Sequence, residues 1–297
     1  MRHAYLIIAH TEFKLLENLV SILDYPNNDI FIHIDKKVEY CVKYMPKHAH
    51  LYHVEEANRV DIRWGDCTQI YSELALYKLA HQYGPYDYYH LMSGICMPIK
   101  TQAYIQDYFK RHQGTEFIGL MPNAWRTYKK MMYYHPLTKH LRGFGIRSKA
   151  ELLINSLLVK MQELLHITRS EDGLEEGLYK GANWSSLTEA AVSYILSKES
   201  FIRKRFVHTF ACDEVYKPTL LMNSSFAQKL YNKEDEYEGC RRLVDWKRGN
   251  PYIWQNENYD EIMQSEMLFA RKFSSKHLDL VEKLTSYLKN HRDDISA

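Results

Sequence analysis

Two pairs of adjacent charged residues could carry chemistry in this 297-residue sequence. Asp213 and Glu214 are neighbouring carboxylates, and Arg271 and Lys272 are neighbouring cations. Adjacent side chains on a helix project about 100° apart, so the two carboxylates cannot flank one bond as a glycosidase pair does. Either of them could still act as a single general base. The two cations could hold a diphosphate, arginine as a planar fork and lysine as a point charge.

A third candidate is Asp35, which ends the strand-like run IFIHID. A carboxylate in that position suits ribose hydroxyls or a base N–H in nucleotide-binding α/β folds. All three candidates also have ordinary structural explanations. Acids at a helix start complement the helix dipole, cations at a helix end are solvated, and aspartate commonly ends strands. From residue types alone, both explanations stay open.

Several classes of protein lack support in this sequence. There is no D-x-D metal motif, P-loop, G-x-G-x-x-G or G-x-S-x-G sequence. The formal net charge of +2 gives no reason to expect nucleic-acid binding. The five cysteines are an odd number without a C-x-x-C pair, which favours reduced thiols over disulfides or zinc. The first apolar run is too short for a signal peptide, and we expect a cytoplasmic protein.

The elements that must position these residues alternate along the first half of the chain. Short apolar runs predict strands at 5–9, 30–35, 51–54, 86–92 and 116–120. Amphipathic segments predict helices capped by Thr11 and Thr101, and a third helix over 68–83. This order predicts an α/β fold whose mostly parallel sheet is covered by helices on both faces. Ligands of such sheets bind at the carboxyl ends of strands, which here are His10, Asp35 and Ser93–Gly94.

The second half contains one long amphipathic segment, residues 151–167, in a stretch rich in arginine and lysine. Its apolar residues recur on one side at helical spacing: Leu153, Leu157, Met161 and Leu164. We expect this side to pack on the domain, with contact to a membrane surface as the alternative. Further along, Ser186-x-x-Glu189 has the spacing of a capping box.

Seven segments, taken in order, resemble the family of core 2 and I-branching β-1,6-N-acetylglucosaminyltransferases, which also contains the peptide O-xylosyltransferases. They are AYLIIAH (4–10), IFIHIDKK (30–37), RWGDCTQIYSELALYKLA (63–80), YDYYHLMSGICMPIK (86–100), GANWSSLTEAAVSYIL (181–196), ACDEVYKPTLLMNS (211–224) and LFARKF (268–273). The resemblance implies a GT-A-like fold and a single glycosyltransferase domain over 1–297. Its nucleotide-binding half is expected at 1–120, and its acceptor-binding and catalytic half at 121–297.

The resemblance also implies a role for individual residues. Glu214 matches the family's catalytic base, and Lys272 matches the lysine that neutralises the nucleotide diphosphate. Asp35 matches the acid that contacts the nucleoside, and Ile8 lines the base pocket. The remaining donor-side residues expected on this basis are His10, Ser93, Gly94, Arg271 and Arg248, with Lys247 as the alternative to Arg248. On the acceptor side we expect Arg126, Lys129, Asp213 and Trp184, the last as a stacking platform for a sugar.

Two departures from the family pattern affect these expectations. Cys96 stands where the family's S-G-x-D segment has an acid, which fits a site that works without a divalent metal. Pro218 follows Glu214 by four residues and could kink a helix there. The disulfides and membrane anchor of the mammalian members are missing from the pattern, so the chain resembles a bacterial-type member.

The expected activity is inverting, metal-independent transfer of a sugar in polysaccharide biosynthesis. GlcNAc would pass from UDP-GlcNAc to a hydroxyl of a glycan or lipid-linked oligosaccharide, forming a β linkage without a cofactor. Three alternatives stay open: another donor such as UDP-xylose, a non-catalytic nucleotide-sugar-binding protein, and a metal-dependent transferase using His33 and Asp35. Peripheral contact with a membrane is a further expectation.

Overall fold

A computed structural model describes residues 1–121, 131–140, 146–169 and 174–295. The strands in these ranges are β1 His3–Ala9, β2 Asn28–Ile34, β3 His50–His53, β4 Tyr88–Ser93, β5 Met97–Pro98, β6 Phe117–Ile118, β7 Ser185–Thr188, β8 Arg242–Val244 and β9 Phe269–Arg271. The α-helices are α1 Phe13–Leu23, α2 Thr68–Tyr83, α3 Gln102–Arg111, α4 Ile146–Leu164, α5 Glu189–Ser197, α6 Glu199–Phe206, α7 Tyr216–Met222, α8 Glu236–Cys240, α9 Tyr259–Gln264 and α10 Leu278–Asn290.

The central sheet has six strands in the order β3-β2-β1-β4-β7-β6. β1 to β4 run parallel to one another, whereas β7 is antiparallel to both β4 and β6. The mostly parallel α/β sheet predicted from the alternating pattern is therefore confirmed. A second, smaller sheet has the order β5-β9-β8. Because only three residues separate β4 from β5, the small sheet is attached directly to the end of a central strand.

Helices cover both faces of the central sheet. On one face, buried residues of α1, α3 and α10 pack with the small sheet. On the other face, α2, α5, α6 and α7 contribute the buried residues. β2 is buried along its whole length, as expected for a strand with helices on both sides. This arrangement leaves the carboxyl ends of β1, β2 and β4 as the place where the sheet can meet a ligand.

Two of the predicted helix caps are wrong. α1 begins at Phe13, and the residue before it, Glu12, has a left-handed φ of 58° without a capping side chain, so Thr11 does not cap. Ser186 lies inside β7, and α5 is capped by Thr188 instead, whose hydroxyl accepts the Ala191 N–H. The predicted cap at Thr101 is confirmed, because its hydroxyl accepts the Tyr104 N–H at 3.2 Å.

Pro218 does not kink a helix. Glu214 lies in a separate 3₁₀ turn, Cys212–Glu214, and α7 begins only at Tyr216. Proline is tolerated in the first turn of a helix, where its missing N–H would have no intrahelical partner. The base candidate therefore sits before the helix rather than within it.

The prediction that the apolar side of the 151–167 segment packs on the domain is wrong. Its apolar residues are largely exposed: Leu153 by 62%, Leu157 by 52%, Met161 by 54% and Leu164 by 79%. The buried residues of α4 are Ser148 and Asn155. The helix is amphipathic as predicted, but its polar side faces the protein.

Two further findings bear on the expectations from composition. None of the helices in the described ranges is both long and apolar enough to cross a bilayer. All five cysteines lie within those ranges and are free thiols. Four of the five are buried, so their sulfurs act as small apolar core groups.

Buried imidazoles should make this fold sensitive to acid. Burial lowers the pKa of His3 to about 3, and it also lowers the pKa of His90, whose ring lies 3.1 Å from that of His3. The fold favours the neutral rings, so their stabilisation is complete above about pH 6.5 and is lost as pH falls towards 3. His3→Phe should cost about 1 kcal/mol at pH 7 for the lost hydrogen bond, yet lose less stability than wild type between pH 7 and 4.5.

Urea unfolding at several pH values measures this difference. His48→Gln is the control, because it removes an exposed imidazole instead of a buried one. Parallel pH profiles for His3→Phe and wild type would contradict the assignment.

Candidate active site

The carboxyl ends of β1 and β4 approach each other closely at the sheet edge. The Gly94 N–H donates to the Ile8 carbonyl at 2.9 Å. A Cβ added at Gly94 would lie 3.0 Å from the Ala9 Cβ, so a larger residue would push the strand ends apart. Ile8 is the partly exposed residue of an otherwise buried strand, as a residue lining a pocket should be. Beside it, the Ser93 Oγ lies 3.1 Å from the Cys96 Sγ.

The charged residues at this edge lie within electrostatic range of one another. The buried Asp35 carboxylate accepts hydrogen bonds from the backbone N–H of Lys37 at 2.9 Å and from its ammonium at 2.8 Å. Partial desolvation lowers the pKa of His10, Asp35 raises it, and the charges of Lys37 and Lys272 lower it further. The structure therefore brings together three of the predicted donor-side residues, His10, Asp35 and Lys272.

Backbone contacts fix the two cations that end β9. Trp254 donates its backbone N–H to the Lys272 carbonyl and its indole N–H to the Arg271 carbonyl, each at 2.9 Å. The next residue, Phe273, donates its N–H to the Ile95 carbonyl at 3.1 Å, in the loop that follows Ser93–Gly94. Arg271 and Lys272 are thus held beside the ends of the central strands, where a nucleotide diphosphate would need them.

Arg248 is engaged by carboxylates. Its guanidinium pairs with Asp245 and, at 2.6 Å, with Glu261, and these hydrogen bonds raise its pKa. It also lies 4.6 Å above the ring of Tyr252. A diphosphate would have to compete with two carboxylates for this arginine. Its predicted contact with the donor stays a prediction, as does that of the neighbouring Lys247.

Glu214, the base candidate, is half-buried and paired with a lysine. Its carboxylate lies 2.9 Å from the Lys180 ammonium, and 40% of its side chain is exposed. The Gly181 N–H donates to the Glu214 carbonyl at 2.8 Å, which fixes the turn. A Cβ at Gly181 would lie 1.7 Å from the Gly119 carbonyl oxygen, so only glycine fits there. The segment 180–184 therefore contacts the base candidate twice, through the backbone of Gly181 and through the side chain of Lys180.

The same segment reaches the donor-side cations. The Arg271 guanidinium lies 4.8 Å above the Trp184 ring, within cation–π range. Trp184 follows Lys180 by four residues, so this short segment joins the base candidate to the end of β9. The predicted acceptor platform and the predicted diphosphate-binding arginine are in direct contact.

A buried ion pair lies beneath the turn that carries Glu214. Glu73 of α2 and Lys217 of α7 are paired with side chains fully removed from solvent. Burial raises the pKa of Glu73 and lowers that of Lys217, while each partner's charge opposes the shift. The Lys217 ammonium also donates to the Asn183 Oδ1 at 2.6 Å. The pair therefore ties α2, α7 and the segment 180–184 together.

Asp213 is buried, whereas the neighbouring Glu214 is half-exposed. Asp213 is 6% exposed, and its Oδ2 accepts a hydrogen bond from the Gln69 Nε2 at 2.9 Å. Burial, with the charges of Glu214 and Glu73, raises the pKa of Asp213 to about 8. Its predicted contact with an acceptor stays a prediction. Because the side chain is buried and hydrogen-bonded to Gln69, the geometry favours a role in supporting the turn that carries Glu214.

Sequence reasoning missed four residues of this site, and one of them had a visible signal. Gln69, Glu73, Lys180 and Lys217 became candidates only through their contacts. Glu73 falls between Ile70 and Tyr77 on the buried side of α2. A carboxylate within an apolar helical stripe is costly unless it is paired, so its position pointed to a partner. The predicted acceptor residues Arg126 and Lys129 lie outside the described residues.

Lys180 stands between two carboxylates. Burial raises the pKa of Glu236, the Lys180 charge lowers it, and the Glu214 charge raises it.

Within the described ranges, no group of three or more His, Cys, Asp or Glu residues is arranged to hold a metal ion. His33, one of the residues in the metal-dependent alternative, uses its Nε2 to accept the Val60 N–H at 2.9 Å.

Cations beside the strand ends, and a half-exposed carboxylate joined to them through the segment 180–184, fit a nucleotide-sugar transferase. The chain matches the family model described as Core-2/I-Branching enzyme over residues 3–268 and belongs to this family. The chain is therefore a glycosyltransferase, with a GT-A-like α/β fold and a nucleotide-sugar donor and glycan acceptor as its general substrates. No curated protein gives a significant match.

Removing one partner of the buried pair should be far more damaging than removing an exposed one. Lys217→Met leaves the Glu73 carboxylate buried without its cation and should destabilise the protein by about 3–5 kcal/mol. Glu73→Gln combined with Lys217→Met should recover part of that loss, since no uncompensated charge remains.

Urea unfolding at pH 7 measures both effects. Lys78→Met is the matched control, because it breaks the exposed pair of Lys78 with Glu199 and should cost less than about 1 kcal/mol. Equal losses in Lys217→Met and Lys78→Met would contradict the role given to the buried pair.

Proposed function

We propose that this glycosyltransferase moves GlcNAc from UDP-GlcNAc to a hydroxyl of a glycan acceptor, with inversion and without a divalent metal. The acceptor is a glycan or a lipid-linked oligosaccharide of a polysaccharide pathway. A nucleotide-sugar donor and five free thiols favour a cytoplasmic enzyme. Contact with a membrane would bring such an enzyme to a lipid-linked acceptor.

Glu214 acts as the general base in a single displacement. Its carboxylate accepts the proton of the acceptor hydroxyl while that oxygen forms a bond to the anomeric carbon. The bond from the anomeric carbon to the diphosphate oxygen breaks, and UDP leaves with the electron pair. Attack from the face opposite to the leaving group converts an α-linked donor into a β-linked product. The exposed part of the Glu214 side chain gives the acceptor access to the base.

Lys272 and Arg271 stabilise the negative charge that develops on UDP. Fixed cations can take the place that a metal ion has in other transferases, because both offset charge on the diphosphate oxygens. Their backbone hydrogen bonds to Trp254 hold them in position before the donor arrives. Asp35 and Ile8 would then contact the nucleoside at the strand ends, with His10, Ser93 and Gly94 around it.

The contact between Arg271 and Trp184 is the observation that carries this proposal. It joins the segment that contacts Glu214 to the cations at the end of β9, which supports a site in which the base and the leaving group lie close together. Trp184 would offer its ring to the acceptor sugar at this junction. Arg126, Lys129 and Asp213 complete the proposed acceptor side.

Replacing the base should slow turnover strongly while leaving the donor site intact. Glu214→Gln keeps the size and hydrogen-bonding capacity of the side chain but cannot take up a proton. We expect UDP release from UDP-GlcNAc, with EDTA present, to fall by about a hundredfold or more. A coupled assay for UDP over a panel of UDP-sugars measures this and identifies the donor.

Glu234→Gln is the control, because this carboxylate is exposed and lies outside the proposed site. It should release UDP at the wild-type rate. Equal rates for Glu214→Gln and wild type, or a wild-type rate that EDTA abolishes, would contradict the proposed mechanism.

A further inference from the structure

Helix α4, Ile146–Leu164, is attached to the protein through its polar side. The Asn155 Oδ1 accepts the Leu137 N–H at 3.4 Å, and the Gln162 Oε1 accepts the Tyr134 N–H at 2.8 Å. Glu151, on the same side of the helix, lies 2.9 Å from the His140 ring nitrogen. These contacts attach the helix to the described part of the segment that precedes it.

The opposite side of α4 presents a continuous apolar stripe to solvent. At 3.6 residues per turn, its members fall within an arc of about 80°. They are Ile146, Ala150, Leu153, Leu157, Met161 and Leu164, all exposed. The apolar surface continues past the end of the helix through Leu165 and Ile167, which are 60% and 44% exposed. Single exposed apolar residues are common on protein surfaces. A continuous exposed stripe along one side of a helix, in contrast, marks a contact surface.

Basic residues flank this stripe. Lys149 and Lys160 lie along one border of the stripe and Arg147 along the other, and all three are exposed. The sequence from residue 117 to residue 150 contains seven arginine and lysine residues and no aspartate or glutamate. An apolar stripe bordered by cations is the pattern of a helix that lies in the interface of an anionic bilayer.

We propose that α4 docks flat on an anionic lipid surface. Its apolar stripe would enter the boundary between headgroups and acyl chains, while Lys149, Lys160 and Arg147 meet lipid phosphates. A second copy of this chain suits the surface less well, because two such faces would bring their cations together. The proposal depends on α4 and its surroundings, and it does not depend on which sugar the enzyme transfers.

Flotation with lipid vesicles tests this proposal on the full chain. Wild type should float with vesicles of about two parts phosphatidylcholine to one part phosphatidylglycerol, whose anionic surface attracts basic segments. It should float weakly with pure phosphatidylcholine, and raised salt should release it from the anionic vesicles. Leu157→Glu places a charge in the apolar stripe and should lower the vesicle partition coefficient by about tenfold or more.

Two variants sharpen the result. Lys149→Glu combined with Lys160→Glu should also lower partition onto anionic vesicles by about tenfold or more, without changing partition onto neutral ones. Met45→Glu, at a 76% exposed apolar residue outside α4, is the matched control and should float as wild type does. Unchanged UDP release in solution shows that Leu157→Glu is folded, and it separates this proposal from the assignment of the active site.

Three results would overturn the proposal. One is failure of wild type to float with anionic vesicles, and another is equal flotation of Leu157→Glu and wild type. The third is a concentration-dependent dimer of wild type, seen by sedimentation, that Leu157→Glu converts to a monomer. That last result would assign the apolar stripe to contact between two copies.

Discussion

The buried pair of Glu73 and Lys217 is the constraint on which the arrangement of the residues around Glu214 depends. Two charges removed from water cost free energy unless each finds its partner and further hydrogen bonds. Meeting that requirement fixes α2 against α7 and draws Asn183 onto the lysine. The turn that carries Glu214 lies directly before α7, so its place follows from the same contacts.

From this anchor, the segment 180–184 extends the constraint to the donor side. Lys180 pairs with Glu214 at one end of the segment, and Trp184 lies beneath Arg271 at the other. Proton transfer and charge stabilisation must be coordinated over a few ångströms, and a short segment fixed at both ends meets that need. The segment 180–184 thus joins the base candidate, whose turn lies next to a buried ion pair, to cations that backbone hydrogen bonds hold in place.

Periodicity in the sequence was enough to predict five of the six strands of the central sheet, all except β7, and the bounds of α2, Thr68–Tyr83. It did not predict which side of α4 faces the protein, because a repeat of apolar residues shows that they share a side and nothing more. The predicted strand ends brought His10 and Asp35 together, since parallel strands end at one edge. Lys272 follows a strand of the second sheet, and only the family resemblance predicted a role for it beside them. Pairs such as Lys180 with Glu214 are set by tertiary packing, so spacing along the chain could not reveal them.

Binding of UDP in the presence of EDTA tests most directly whether cations hold the donor while Glu214 serves only the acceptor. Calorimetric titration would compare wild type, Glu214→Gln and Lys272→Met. We expect Glu214→Gln to bind UDP as wild type does, and Lys272→Met to bind about tenfold or more weakly, because one charge-assisted contact is lost. Equal affinity in wild type and Lys272→Met, or binding that requires an added divalent metal, would contradict this division of roles.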